Sequence, residues 1–130
     1  MSEEWCARCR SHVGDYKSLA SLAFTGLDGN LYGNSDSTNF PVTAEFAKSA
    51  IAAFSGASPS SLTLNGEKFI VLQKNDECLI GKCGRKTLFV YPCKSSCIFG
   101  LSVDTDESMN ATNGNAACAM LSEEYKKLGY

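Results

Sequence analysis

The apolar residues of this chain change their spacing several times, and each change marks an element. Trp5, Cys9 and Val13 fall four apart, with Glu4, Arg8 and Arg10 off that line. That one-sided stripe predicts a helix from Glu3 to about Val13, ended by Gly14-Asp15. Leu19 to Phe24 reads as a strand, and Asp28-Gly29 turns the chain into a short strand carrying Leu31 and Tyr32. Thr43 then offers an N-cap, and Phe46, Ala47, Ala50, Ile51 and Phe54 form a second helical stripe. Asn65-Gly66, between Leu62-Thr63-Leu64 and Phe69-Ile70-Val71-Leu72, is a strong hairpin signal. Three more strands are predicted at Cys78 to Ile80, Thr87 to Tyr91 and Cys97 to Val103. A last helix is expected to begin between Asn113 and Asn115. Its stripe is Cys118, Leu121, Tyr125 and Leu128, with Glu123 and Lys127 as an i,i+4 ion pair.

Two of the strands, Phe69 to Leu72 and Leu88 to Tyr91, are apolar on both faces and call for cover on both sides of the sheet. Three helices must supply it. The expected fold class is α+β, an α/β sandwich: a central antiparallel sheet with the N- and C-terminal helices on one face and the middle helix on the other. No repeat or linker divides the chain, and Ser55 to Ser61 reads as a connection within a single domain spanning 1–130.

Composition narrows the function classes. With 44% apolar and 20% charged residues, the chain has the balance of an ordinary globular protein. The net charge of −2 argues against a general affinity for nucleic acid. No run of about 18 apolar residues is present, so no transmembrane segment is expected. The acidic Met1-Ser2-Glu3-Glu4-Trp5 start lacks a secretory signal's apolar run, which points to the cytoplasm. Seven cysteines in that compartment are expected to be free thiols, several of them buried like small hydrophobes.

Enzyme chemistry finds no support. His12 is the single histidine, and no nucleophile elbow, P-loop or paired-carboxylate motif occurs. Cys6-Ala7-Arg8-Cys9 has no strand before it for a redox motif and no regular second pair for zinc, so no metal or cofactor is expected. Asp104, Asp106 and Glu107 read as a solvated acidic turn.

Several local strings, taken in order, carry a family resemblance. They are Trp5 near one end, Asp28-Gly29-Asn30-Leu31-Tyr32, Phe40-Pro41 before the middle helix, and Leu64-Asn65-Gly66-Glu67-Lys68-Phe69-Ile70-Val71-Leu72-Gln73. Phe99-Gly100-Leu101 and Asn115 at the last helix complete the set. Over essentially the whole chain this resembles a profilin. The resemblance implies a cytoplasmic, cytoskeleton-associated protein that regulates polymerisation by binding monomeric actin on one face. It also implies a groove between the terminal helices for proline-rich peptides of formin-like partners, and possible binding of phosphoinositides.

By the same resemblance the groove would use Trp5, Tyr32, Tyr125 and Tyr130. Two positions depart from the family pattern: Arg8 or Cys9 stands where an aromatic is common, and Glu124 where some relatives carry histidine. The actin face would include Lys68, Lys82, Thr112, Asn113, Gly114 and Asn115. On the residues alone, Trp5 and Tyr125 fit a packed core nearly as well as a groove. Likewise Lys82, Arg85, Lys86 and Lys94 suit either an acidic partner or an ordinary solvated sheet edge. A longin or roadblock-type module for small GTPases, or a sensor domain with an internal pocket, shares the element order but needs no terminal aromatics.

Overall fold

The computed structural model describes residues 1–130. Ser2 opens the first helix, α1 (Glu3–Asp15), by accepting the Trp5 N–H at 3.2 Å, and Glu3 and Glu4 sit at its positive end. Strands β1 (Ser21–Gly26) and β2 (Leu31–Asn34) form an antiparallel pair with a bulge between Phe24 and Thr25. Thr43 caps α2 (Ala44–Ala52), which tightens into a 3₁₀ turn at Ala53–Ser55. A meander follows: β3 (Ser61–Leu64), β4 (Glu67–Lys74), β5 (Leu79–Cys83), β6 (Lys86–Pro92) and β7 (Ser96–Val103). Asn65 and Gly66 both take positive φ, 54° and 76°, as their two-residue hairpin requires. The last helix, α3, spans Ala111–Lys127.

All seven strands join one antiparallel sheet in the order β2-β1-β7-β6-β5-β4-β3. Side chains alternate across it. Ala23, Phe69, Leu79, Leu88, Val90 and Phe99 meet α2 on one face. Leu22, Phe24, Phe89 and Ile98 meet α1 and α3 on the other, together with Cys9, Cys118 and Leu121. The expected layering is therefore found. Close approach of α3 depends on two glycines: a Cβ on Gly114 would lie 1.9 Å from Ser102 Oγ, and one on Gly100 would lie 2.5 Å from Cys118 Sγ.

Several local expectations change. Helix α3 begins two residues early because Asp104 caps it, its Oδ1 accepting from the Asn110 and Ala111 N–H groups at 2.6 and 3.2 Å. Asp104 is thus a buried cap, and only Asp106 and Glu107 of that cluster are solvated. Glu123 pairs with Lys126 at 3.5 Å instead of Lys127, and Leu128 lies exposed beyond the helix. On β4 the second apolar face is uncovered: Phe69 is buried, but Ile70 and Leu72 are 47% and 63% exposed.

Candidate functional site

Two surfaces stand out, one at each end of α3. The first is built around Trp5. Glycine at position 33 lets the α1 backbone lie directly on β2, since a Cβ there would come within 2.5 Å of the Trp5 carbonyl carbon. The Ser2 N–H donates to the Tyr32 carbonyl at 3.0 Å and fixes the helix start on the same strand. Trp5 and Tyr32 are thereby set side by side, with ring centroids 5.3 Å apart.

Tyr130 arrives by a different device. The Tyr130 N–H donates to the Tyr125 carbonyl and the Gly129 N–H to the Lys126 carbonyl, while Gly129 takes φ 93°. This is a Schellman C-cap, and it turns the chain back across the helix end. The Tyr130 main-chain oxygen then accepts from the Ser95 N–H at 2.6 Å and from the Ser95 and Ser96 hydroxyls at 3.1 and 2.9 Å. So anchored, the Tyr130 ring stands edge-on to Trp5 at 5.3 Å. The two serines escaped the sequence reading; the Lys-Leu-Gly-Tyr ending was the available signal for the cap.

Tyr125 plays another part. It is 3% exposed and lies beneath the cluster, 5.9 Å from Trp5 and 4.7 Å from Phe24. Its hydroxyl shares a 2.9 Å hydrogen bond with His12 Nε2. Burial pushes the Tyr125 hydroxyl's pKa up, against the opposing charge of Arg8, and burial lowers that of His12. Trp5, Tyr32 and Tyr130 keep partial exposure and form an aromatic cluster at the surface, with Tyr125 and Phe24 packed beneath it. Such rings offer flat apolar faces with polar edges.

The two departures noted in the sequence separate here. Cys9 is fully buried under α1, and burial pushes its thiol up to about 12, so it takes no part in the exposed aromatic surface. Arg8 does: its guanidinium carbon lies 4.8 Å from the Trp5 ring centroid, and it pairs with Glu4 at 3.2 Å. Glu124 is exposed beside His12 and faces solvent.

The second surface is the uncovered part of the sheet beyond the start of α3. Ile70 on β4 lies opposite Lys82 on β5, and Leu72 and Ile80 continue the same face. A depression of about 320 Å³ runs from Leu72 and Ile80 to Thr112 and Asn115. Lys68 lies exposed two positions before Ile70 on the same side of β4. Asn115 accepts a hydrogen bond from the Tyr91 hydroxyl, and Thr112 and Asn113 are exposed. Gly114 differs: it is buried against Ser102 and presents nothing to solvent.

Charge on this surface is largely balanced. Lys82 lies 3.9 Å from Asp104, Arg85 2.6 Å from Asp106, and Lys86 2.7 Å from Glu67. Of the four basic residues expected to form a patch, only Lys94 has no carboxylate partner. Nowhere do three or more histidine, cysteine or carboxylate side chains gather as a metal site would need. No helix is long and apolar enough to cross a membrane.

Comparison with known proteins agrees with this geometry. The family model "Profilin" matches residues 3–130. Profilin-3 of Caenorhabditis elegans is 34% identical over 77 residues, a stretch that covers 57% of this chain and 60% of that protein. Among solved structures, profilin IB of Acanthamoeba castellanii superposes with a TM-score of 0.84 at 21% identity, covering 97% of this chain and 99% of that one. LokiProfilin1 in complex with rabbit actin gives 0.76 at 13% identity, covering 98% of each chain. Mouse profilin IIa, solved with a double repeat from the FH1 domain of mDia1, gives 0.69 at 13% identity, covering 97% and 99%.

Proposed function

The chain belongs to the profilin family, and from that premise we propose that it binds monomeric actin and proline-rich peptides on separate surfaces, as a cytoplasmic adaptor of filament growth and not a catalyst. The aromatic cleft of Trp5, Tyr32 and Tyr130 receives the proline-rich segment. The face of Ile70, Leu72, Lys68, Lys82, Thr112 and Asn115 receives actin. The family match displaces the small-GTPase module as a reading.

One observation carries the peptide half: rings contributed by α1, β2 and the turn after α3 converge on Trp5 with polar edges still exposed. Polyproline II is stiff before binding and leaves its carbonyls unpaired, so flat rings with indole N–H and phenol O–H donors suit it. The actin half rests on the uncovered apolar strand face, since contiguous exposed apolar groups mark interaction sites. Support also comes from the solved relatives bound to actin and to an FH1 repeat. About ten helix residues, or roughly 15 Å at 1.5 Å each, separate Asn115 from Tyr125, which leaves room for both partners at once. Phosphoinositide binding is the weaker expectation, because Lys82, Arg85 and Lys86 already face carboxylates.

Retention on immobilised polyproline, with Trp5 fluorescence as the solution readout, tests the peptide site. Trp5→Ala is expected to abolish retention while sparing actin binding in an assembly assay. Loss of both together, in a folded variant, would contradict separate surfaces. Wild-type protein without effect on actin assembly or nucleotide exchange would remove the actin assignment.

A further inference from the structure

Helices α1 and α3 run antiparallel across the sheet: Trp5 meets Tyr130, His12 meets Tyr125, and Tyr16 meets Ala119 and Met120. Trp5, Arg8 and His12 form a row along α1 at spacings of three and four, and Tyr16, the residue after the helix, continues the seam beside α3. A notch of about 580 Å³ runs along that seam, reaching Tyr16, Ala119 and Met120 at the far end and bordered by Glu124 and Leu128 nearer to Trp5. Met120 and Leu128 are 60% and 62% exposed, and no element of the fold covers them.

We propose that the peptide site continues along this seam, past Leu128, to a second, apolar station at Tyr16 and Met120. Its occupant is the flank of the same proline-rich segment that stacks on Trp5, so the inference rests on the peptide-binding reading above. Residues 5 and 16 are eleven positions apart, about 16 Å along a helix. A polyproline II chain rises about 3.1 Å per residue, so roughly five residues bridge the two stations. Between them Arg8, His12 and Glu124 make a polar band, which suits small residues whose carbonyls accept from the Arg8 fork.

A second copy of the chain fits the notch poorly. Glu123, Glu124 and Lys127 line it beside the apolar residues, so its apolar surface is narrow and broken by charge. A stable dimer buries about 800 Å² of surface on each partner.

Trp5 is the single tryptophan, so its fluorescence reports the near station directly. Three peptides suffice: a proline hexamer, and that hexamer with a five-residue Gly/Ser flank at each end, closed by leucine in one version and serine in the other. Two flanks cover both binding directions. The leucine version is expected to bind about five- to tenfold tighter than the serine version. Met120→Glu should erase that gain and leave hexamer affinity unchanged, which also shows that the variant is folded. Equal affinities for the two long peptides, with the hexamer still binding, would overturn the second station alone. A gain that survives Met120→Glu would place the leucine elsewhere and overturn it too. Failure of all three peptides would remove the proline cleft and the station with it.

Discussion

Phe69 and Ile70 are neighbours on β4, yet one is 1% exposed and the other 47%. The contrast extends to the whole sheet. On one face α2 and its following turn close over β4, β5, β6 and β7 and leave a continuous core. On the other, α1 and α3 lie over β1, β6 and β7, where Leu22, Phe89 and Ile98 are buried, but β4 has no helix above it. Three helices do not cover both faces of seven strands. The shortfall falls on one place, where apolar side chains are left standing in water. The two apolar faces of β4 therefore carry different messages, since one is core and the other is the exposed face proposed to receive actin.

The largest expected effect separates those messages. Phe69→Ala removes a buried ring and is expected to cost about 3–5 kcal/mol of stability by urea denaturation. Ile70→Ser, one position along, is expected to stay within about 0.5 kcal/mol. In an actin-binding assay the order reverses: Ile70→Ser weakens binding about tenfold or more if the residue sits near the centre of the contact. If Ile70→Ser destabilised the fold as Phe69→Ala does, the uncovered face would belong to the core after all.

Much of this was legible in the sequence, for identifiable reasons. Apolar patterning located every helix and strand, through helical stripes and through apolar runs bounded by turn signals such as Asn65-Gly66. It could not say that Ile70 and Leu72 lack cover, since an apolar side chain reads alike under a helix or under solvent. Tyr125 shows the same limit at the cleft, where its stripe position fits both a floor and a wall. Tyr130's placement depends on Ser95 and Ser96, 35 and 34 residues earlier, and no local pattern links them. Asp104 was misjudged because its cap partners at Asn110 and Ala111 lie six and seven residues away, beyond the reach of a capping box.

Asp104 also joins the two regions, since the helix it caps has the uncovered face at one end and the cleft at the other. Asp104→Ala leaves two α3 N–H groups without an acceptor and Lys82 without its nearest carboxylate. Losing such a cap typically costs about 1 kcal/mol and up to about 2. Fraying should be confined to the first turn, which carries Thr112 and Asn115. Denaturation and actin binding are expected to weaken modestly while polyproline retention is unchanged. A loss of retention would show that the first turn of α3 controls the cleft through the length of the helix.

The smallest effect is a pH dependence that belongs to the cleft end alone. Burial lowers the His12 pKa below its ordinary 6.5; Arg8 acts in the same direction, while Glu124 and Asp15 oppose it. His12 packs near Phe24, and its Nε2 meets the Tyr125 hydroxyl. The native state favours the neutral ring, so the unfolded chain takes up the proton first as pH falls. Stability from this group is complete above about pH 6.5 and declines as pH drops through the lowered native value. The hydrogen bond changes as well, since an imidazolium donates from both nitrogens and no longer accepts from Tyr125. His12→Gln removes the titration. The drop in urea midpoint between pH 7.5 and 5.5 should therefore be smaller in His12→Gln than in wild type. The same variant should flatten the pH profile of peptide affinity and leave that of actin binding as it was. Equal stability profiles in the two proteins would show that His12 titrates alike in the native and unfolded states. Its contact with Tyr125 would then be packing that leaves the ring's titration unchanged.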